Sequence, residues 1–464
     1  MGKGKLGRRG RVFQELFGPD FNPVQLIVIA IDVAKTRPKA AAFDYFGVPL
    51  GESFFFTPDQ RGIEKVCATA DEIANKAGKR FMVFGLENTG HYQEPIVAGL
   101  REHNRLVMPI NAITTHEERK SLLDYSKTDD LDLYAIAAAV TGGKVTFGRP
   151  PEGVQARLRF LTRTRRSCVL ERAKAFTDLH TLLDHFWPAL QGVPEVVDGK
   201  PKLSTIFDLK SDQALAFLRQ VKTPAQALAL GAEGLARLSL DKRLRLGRRR
   251  IGLILQAAEL AAKTDESLLA LYVEQLDNLL DKIESLGKRI EQLEDQSEEI
   301  LADTPGVLLL STPGVGRVTA AEFMAEVGLA IDAYPSASAI IKLAGTNPVP
   351  AESGTRRGRM RISKQGNPHL REIVFTIGRN LTELNPNPYF AAFRARLTRL
   401  TTNQQRIAVG NKFARVAYAM LTKAELFAPR TWQGPPLANN PLCKLKPQNR
   451  AKAQATLERL LRKE

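Results

Sequence analysis

An α/β domain followed by a longer, mostly helical remainder is the fold class this sequence predicts, and three observations predict it. Short runs rich in β-branched and aromatic residues crowd the first 110 positions. Helical patterns begin to separate those runs after position 57, and from about position 150 long helical periodicity takes over. At 464 residues the chain also exceeds the usual size of one hydrophobic core, so two or three domains are expected.

The elements follow in order. Residues 25–33 "QLIVIAIDV", 39–46 "KAAAFDYF" and 52–57 "ESFFFT" read as three strands. A helix over 58–78 opens at "TPDQ", with Pro58 at its first position. Strand 80–87 "RFMVFGLE", helix 90–103 and strand 105–110 "RLVMPI" come next, then a helix from "SKTDDLDLYAIAAAVTGG" that ends at the glycine pair 142–143. The first three strands can form an antiparallel meander, and the later ones cross through helices to lie parallel. That is the order of a ribonuclease-H-like fold.

Past 150 comes a long basic helix ended by Pro188, carrying Arg163, Arg165 and Arg166 as candidate nucleic-acid contacts. Residues 189–262 read as mixed and mostly helical. Over 265–303 apolar residues recur at heptad-like spacing (Leu269, Val273, Leu276, Leu280, Ile283, Leu286, Ile290, Leu293), which fits a coiled-coil arm or one helix of an intramolecular bundle. The expected domains are a basic disordered arm at 1–24, the α/β domain at 25–150, a helical linker and coiled coil at 151–303, a mostly α globular unit at 304–428 and a basic tail at 429–464.

Charge narrows the partners. Sixty-seven Lys+Arg against 50 Asp+Glu give +17 and a pI near 9.8, a balance that favours a polyanion, nucleic acid first. Cys67, Cys168 and Cys443 fit neither a disulfide framework nor a zinc site, and a reducing cytoplasm is expected. The apolar run 26–34 is too short to span a bilayer and contains an aspartate, so no membrane partner is expected.

Four carboxylates carry the chemistry. Asp32 ends the first strand and Glu87 the fourth; if those strands are neighbours, the two ends meet. Asp129 and Asp132 stand three apart on one helix face, while Asp130 points elsewhere. Singly, each could be a turn residue or a helix-dipole partner. Four converging carboxylates need divalent cations to neutralise them, and oxygen-only ligation favours Mg²⁺ or Mn²⁺ over zinc. Such metals serve phosphodiester chemistry.

The second half adds two signals. "STPGVGRVTAAEFMAEVG" at 311–328 looks like a helix–hairpin–helix turn, or else a plain helix–helix turn, with Gly314 and Gly316 permitting a phosphate to approach the helix N-terminus. "AESGTRRGRMRISKQGN" at 351–367 surrounds Arg356, Arg357, Arg359, Arg361 and Lys364 with glycine turns, and those bases can position a phosphate or an RNA.

Together "AIDVAK", "GLENTGHY", "KTDDLDLYAIA", "TPGVGRVTAAEFMAEVG", "LAGTNPVPAESG" and "SKQGNPHLREIVF" resemble the DEDD transposases of the IS-one-ten insertion-sequence class, over roughly residues 25–180 and 265–425. The resemblance implies a RuvC-like catalytic domain, a C-terminal transposase domain, and a Mg²⁺ site formed by Asp32, Glu87, Asp129 and Asp132. It also implies that Ser353 is a nucleophile forming a phosphoserine link to DNA. Further implications are a non-coding bridge RNA pairing with donor and target DNA, and a homodimer or homotetramer in the prokaryotic cytoplasm at the nucleoid. Pro38 and Lys39 depart from the family's pattern and are expected to lie clear of the site. The rival readings are a RuvC-like junction nuclease using activated water, and a non-enzymatic nucleic-acid-binding helical protein.

Overall fold

The computed structural model describes residues 13–14, 16–87, 92–121, 129–144, 152–197, 200–238, 244–261, 263–350, 360–432 and 441–462. The chain divides into two compact units, Met1–Arg149 and Pro150–Glu464.

The first unit is a mixed α/β layer structure. Its sheet runs β3-β2-β1-β4-β5, built from β1 (Leu26–Asp32), β2 (Lys39–Asp44), β3 (Phe54–Phe55), β4 (Phe81–Glu87) and β5 (Val107–Ile110). Pairing is antiparallel between β1, β2 and β3, and parallel from β1 to β4 and from β4 to β5. Helices lie on both faces, which is why β1 is apolar from Leu26 to Ile31 and does not alternate. Leu26, Val28 and Ala30 face one core with Leu133, Ile136 and Val140; Ile27, Ile29 and Ile31 face another with Ile63, Val66, Ile96 and Leu100. The helices are α1 (Gln60–Lys76), α2 (Gln93–Glu102), α3 (Ala112–Ser121) and α4 (Asp129–Thr141).

Two expectations are corrected here. Helix α1 begins at Gln60, not at Pro58. Asp59 is its N-cap, accepting from the Gly62 N–H at 2.8 Å while Thr57 Oγ1 donates to the same carboxylate. A charged cap can accept both donors, so it outcompetes the threonine; a cap of this kind contributes about 1 kcal/mol. Within 1–24, expected as a disordered arm, the aromatic residues that are described are packed. Phe13 is fully buried and stacks on Phe21, and Phe17 and Phe21 pack on Phe81, because three aromatic rings here meet an apolar sheet face. Residues 1–12 lie outside the described set.

The second unit is mostly helical. Helices α5 (Gly153–Phe186) and α9 (Glu266–Leu301) run antiparallel along one another, each about 50 Å long at 1.5 Å per residue. Their one end joins a core with the β6–β7 hairpin region (Val193–Val197 and Lys200–Ser204), α6 (Asp212–Gln220), α7 (Pro224–Leu238) and α8 (Arg248–Glu259). Their other end joins a core with α10 (Arg317–Val327), α11 (Ala337–Ala344), α12 (Pro368–Arg379), α13 (Pro388–Ala395), α14 (Thr402–Lys423) and α15 (Pro447–Leu461). Of the heptad-like stripe of α9, Leu276, Leu280, Ile283 and Leu293 are buried, and α9 lies along α5 of the same chain.

Candidate active site

The parallel register pairs Ile31 with Leu86, so Asp32 and Glu87 follow side by side at the carboxyl ends of adjacent strands. In open α/β sheets that end is where ligands bind. Gly85 lets α4 lie close on β4: a Cβ there would stand 2.6 Å from Val140 Cγ2. Helix α4 thus brings Asp132 toward the same end of the sheet.

Each described carboxylate has its own partner. Glu87, half-buried, accepts from Thr115 Oγ1 at 2.6 Å. Asp132, 17% exposed, accepts from the Arg119 guanidinium at 2.7 Å. Thr115 and Arg119 sit one turn apart on α3, which follows β5 directly; a four-residue spacing just after a strand was the signal that could have found them. Among the described residues, no three His, Cys, Asp or Glu side chains stand together as a metal-ligating group. Asp129 opens α4, and its side chain lies outside the described residues.

Asp130 turns away toward the meander. It is 62% exposed and accepts from Lys39 Nζ at 2.7 Å and Ser53 Oγ at 3.1 Å. The Lys39 ammonium, then Ser53, hold its carboxyl below the ordinary range. Lys39 does not lie clear of the site: the antiparallel register sets it directly opposite Asp32. The reason is the short β1–β2 connection, which makes the first residue of β2 pair with the last of β1. Lys39 and Arg37 also lie over the Phe55 ring, at 5.4 and 4.4 Å from its centroid.

In the second unit, β8 (Pro348–Pro350) pairs antiparallel with β9 (Met360–Ile362). Ser353, Arg356, Arg357 and Arg359 fall between these strands in the chain and lie outside the described residues. Arg361 and Lys364 are exposed just beyond them. Gly314 adopts φ +87°, and a Cβ there would stand 2.9 Å from Leu381 Cδ2, so this position needs glycine. Gly316 is the N-cap of α10, with open space where a Cβ would go. Buried Asn387 holds the turn by donating to the Pro313 carbonyl at 2.9 Å.

Arg163, Arg165 and Arg166 are ion-paired inside the unit. Arg163 forks onto Glu326 at 2.7 and 2.9 Å, Arg165 bridges Glu294 and Glu322, and Arg166 meets Glu372. All three guanidinium groups thus have carboxylate partners within the unit, while Arg163 and Arg166 stay partly exposed. Burial raises Glu326, but Arg163, Arg159 and Asn367 outweigh it and hold the carboxyl below the ordinary range.

Comparison with known proteins adds five findings. Residues 29–188 match a transposase profile of the DEDD, IS110 type, and residues 307–394 match the profile "Transposase IS116/IS110/IS902 family". The chain is 26% identical over 416 residues to the 44.8 kDa protein of insertion element IS116 from Streptomyces clavuligerus, covering 87% of this chain and 96% of that protein. It is 25% identical over 342 residues to the 42 kDa protein of insertion element IS900 from Mycobacterium paratuberculosis, covering 72% and 82%. A transposase for insertion sequence element IS1328 from Yersinia enterocolitica is 28% identical over 147 residues, covering 31% and 44%.

Proposed function

This chain belongs to the IS116/IS110/IS902 family of transposases, and we propose that it recombines DNA through a phosphoserine link formed by Ser353 beside a carboxylate-held divalent metal. DNA recombination by transposition is the activity of such a chain, and the finer reading is its mechanism. One observation carries that reading: Asp32 and Glu87 end neighbouring parallel strands in register, under a helix that carries Asp129 and Asp132. The strand order supports a ribonuclease-H-like catalytic domain.

The donor chemistry fits a hard cation, since every candidate ligand is a carboxylate. Asp32, Glu87, Asp129 and Asp132 would hold Mg²⁺ or Mn²⁺. A metal bound there would supply charge neutralisation at the scissile phosphate. Thr115 fixes one Glu87 oxygen and leaves the other for a ligand. Arg119 neutralises Asp132 while no cation does.

The Ser353 oxygen attacks the phosphorus, and a deoxyribose oxygen leaves with a proton. The phosphodiester is retained as a protein–DNA ester, so rejoining needs no outside energy. Arg356, Arg357, Arg359, Arg361 and Lys364 hold the phosphate or a guiding bridge RNA, in keeping with the net charge of +17. The proposed working assembly is a homodimer or homotetramer. No described helix is long and apolar enough to cross a membrane, and the proposed place of action is the cytoplasm, at the nucleoid.

Incubation of end-labelled element-junction DNA with protein and Mg²⁺, followed by a denaturing gel, tests this. Wild type should yield a covalent protein–DNA band and Ser353→Ala none. Cleavage by Ser353→Ala without an adduct would instead establish the water-activating nuclease.

A further inference from the structure

The C-terminal segment has no part in the chemistry above, yet it places one side chain inside the turn that opens α10. Lys444 Nζ donates to the Leu310 carbonyl at 2.5 Å, to Thr312 at 2.9 Å and to Val315 at 2.8 Å. An ammonium has three donors and no acceptor, so all three are satisfied by backbone oxygen. Leu310 and Thr312 are fully buried, and Val315 nearly so. Burial draws Lys444 down to about 8, which still leaves it charged at neutral pH. Convergent carbonyls at these distances are the coordination that desolvated alkali cations take from backbone oxygen.

We propose that the 310–315 carbonyl cage is a monovalent-cation site whose cation is supplied in cis by Lys444. Without a cation, the Leu310 and Val315 carbonyls would face one another beside the Thr312 carbonyl, which also accepts from the Val315 N–H at 3.1 Å, and would push the turn open. Asn387 holds the adjacent Pro313 carbonyl, so side chains engage four of the turn's carbonyls. The tail is thereby the counter-ion of the turn, and it fixes the geometry of the Gly314–Gly316 backbone. The consequence for nucleic acid rests on the reading that this turn meets a phosphate; the cage itself does not.

Full-length wild type, Lys444→Ala and Lys444→Met are compared by thermal melting at one ionic strength, in KCl and in tetramethylammonium chloride. Tetramethylammonium is too large to enter the cage. Wild type should melt equally in both. Lys444→Ala should fall by about 3 °C or more in tetramethylammonium and recover in KCl. Lys444→Met, which fills the space without charge, should fall in both. A Lys444→Ala protein that melts alike in the two salts, or is unfolded in both, overturns the proposal. DNA affinity measured in the same salts separates the two readings. Recovery of melting without recovery of binding leaves the cation site standing and removes the phosphate contact.

Discussion

Both units set carboxylates against arginines, and they do so in opposite ways. In the second unit Glu326 is 1% exposed and holds Arg159, Arg163 and Asn367, while Glu298 is 0% exposed and holds Arg317, Asn449 and the Lys446 N–H. In the first, among the described residues, Asp132 and Glu87 each take one side-chain donor and remain partly open. A buried carboxylate with its lone pairs filled ties helices together and has nothing left for a ligand. A carboxylate with one partner, at the carboxyl end of a parallel strand pair, keeps oxygen for a substrate or a cation. Partner number and exposure, not the presence of an ion pair, separate scaffold from site.

The largest expected effect tests the scaffold side. Glu326→Gln strips the counter-charge from Arg159 and from partly exposed Arg163 at a buried carboxylate, and should cost about 3–5 kcal/mol in urea unfolding. Its carboxyl is held below the ordinary 4.5, so the folded state binds this proton less readily than the unfolded chain. The stabilisation is therefore complete above about pH 4.5 and lost as pH falls through the lower folded value. Glu326→Gln should flatten that acid limb. An unchanged limb would mean that Glu326 is no anchor.

Asp32→Asn tests the site side. Strand cleavage should fall on the order of 10²–10³-fold, as when a group aimed at developing charge is removed. Unfolding free energy should move by no more than about 1 kcal/mol. A loss of stability comparable to that of Glu326→Gln would erase the contrast between the two regions.

Arg119→Gln gives the smallest and most discriminating effect. Among the described residues the Nε of Arg119 is buried without an acceptor, as is that of Arg159 on Glu326, so what sets the Arg119 pair apart is its carboxylate: Asp132 is 17% exposed and Glu326 1%. Freeing Asp132 should tighten Mg²⁺ binding, read by calorimetry, about twofold to fivefold, the worth of a partly exposed ion pair of up to ~1 kcal/mol. If Arg119→Gln instead destabilises the protein and leaves Mg²⁺ affinity unchanged, Asp132 belongs with the scaffold.

Sequence by itself determined the strand order of the first unit and its helices α1, α2 and α4, because the period-2 and period-3.6 patterns there agree with the punctuation around them; α3, with Thr115 and Arg119, was not among the expected elements. It also placed Asp32 and Glu87 at strand ends, and the order of strands then made them neighbours. Within 129–132 the three-residue spacing separated Asp132 from Asp130, since helical geometry is local. Ser353 was legible only through the family likeness, for a serine before glycine is otherwise an ordinary turn.

What tertiary structure decided is who partners whom. Lys39 came to lie opposite Asp32 through strand register, and Arg163, Arg165 and Arg166 turned to glutamates more than 120 residues away. The α9 stripe found α5 inside the same chain, and Lys444 reached a turn some 130 residues upstream. Local periodicity shows which face of an element is apolar or charged. It carries no information about which distant surface meets that face, and charge neutralisation is a property of the meeting.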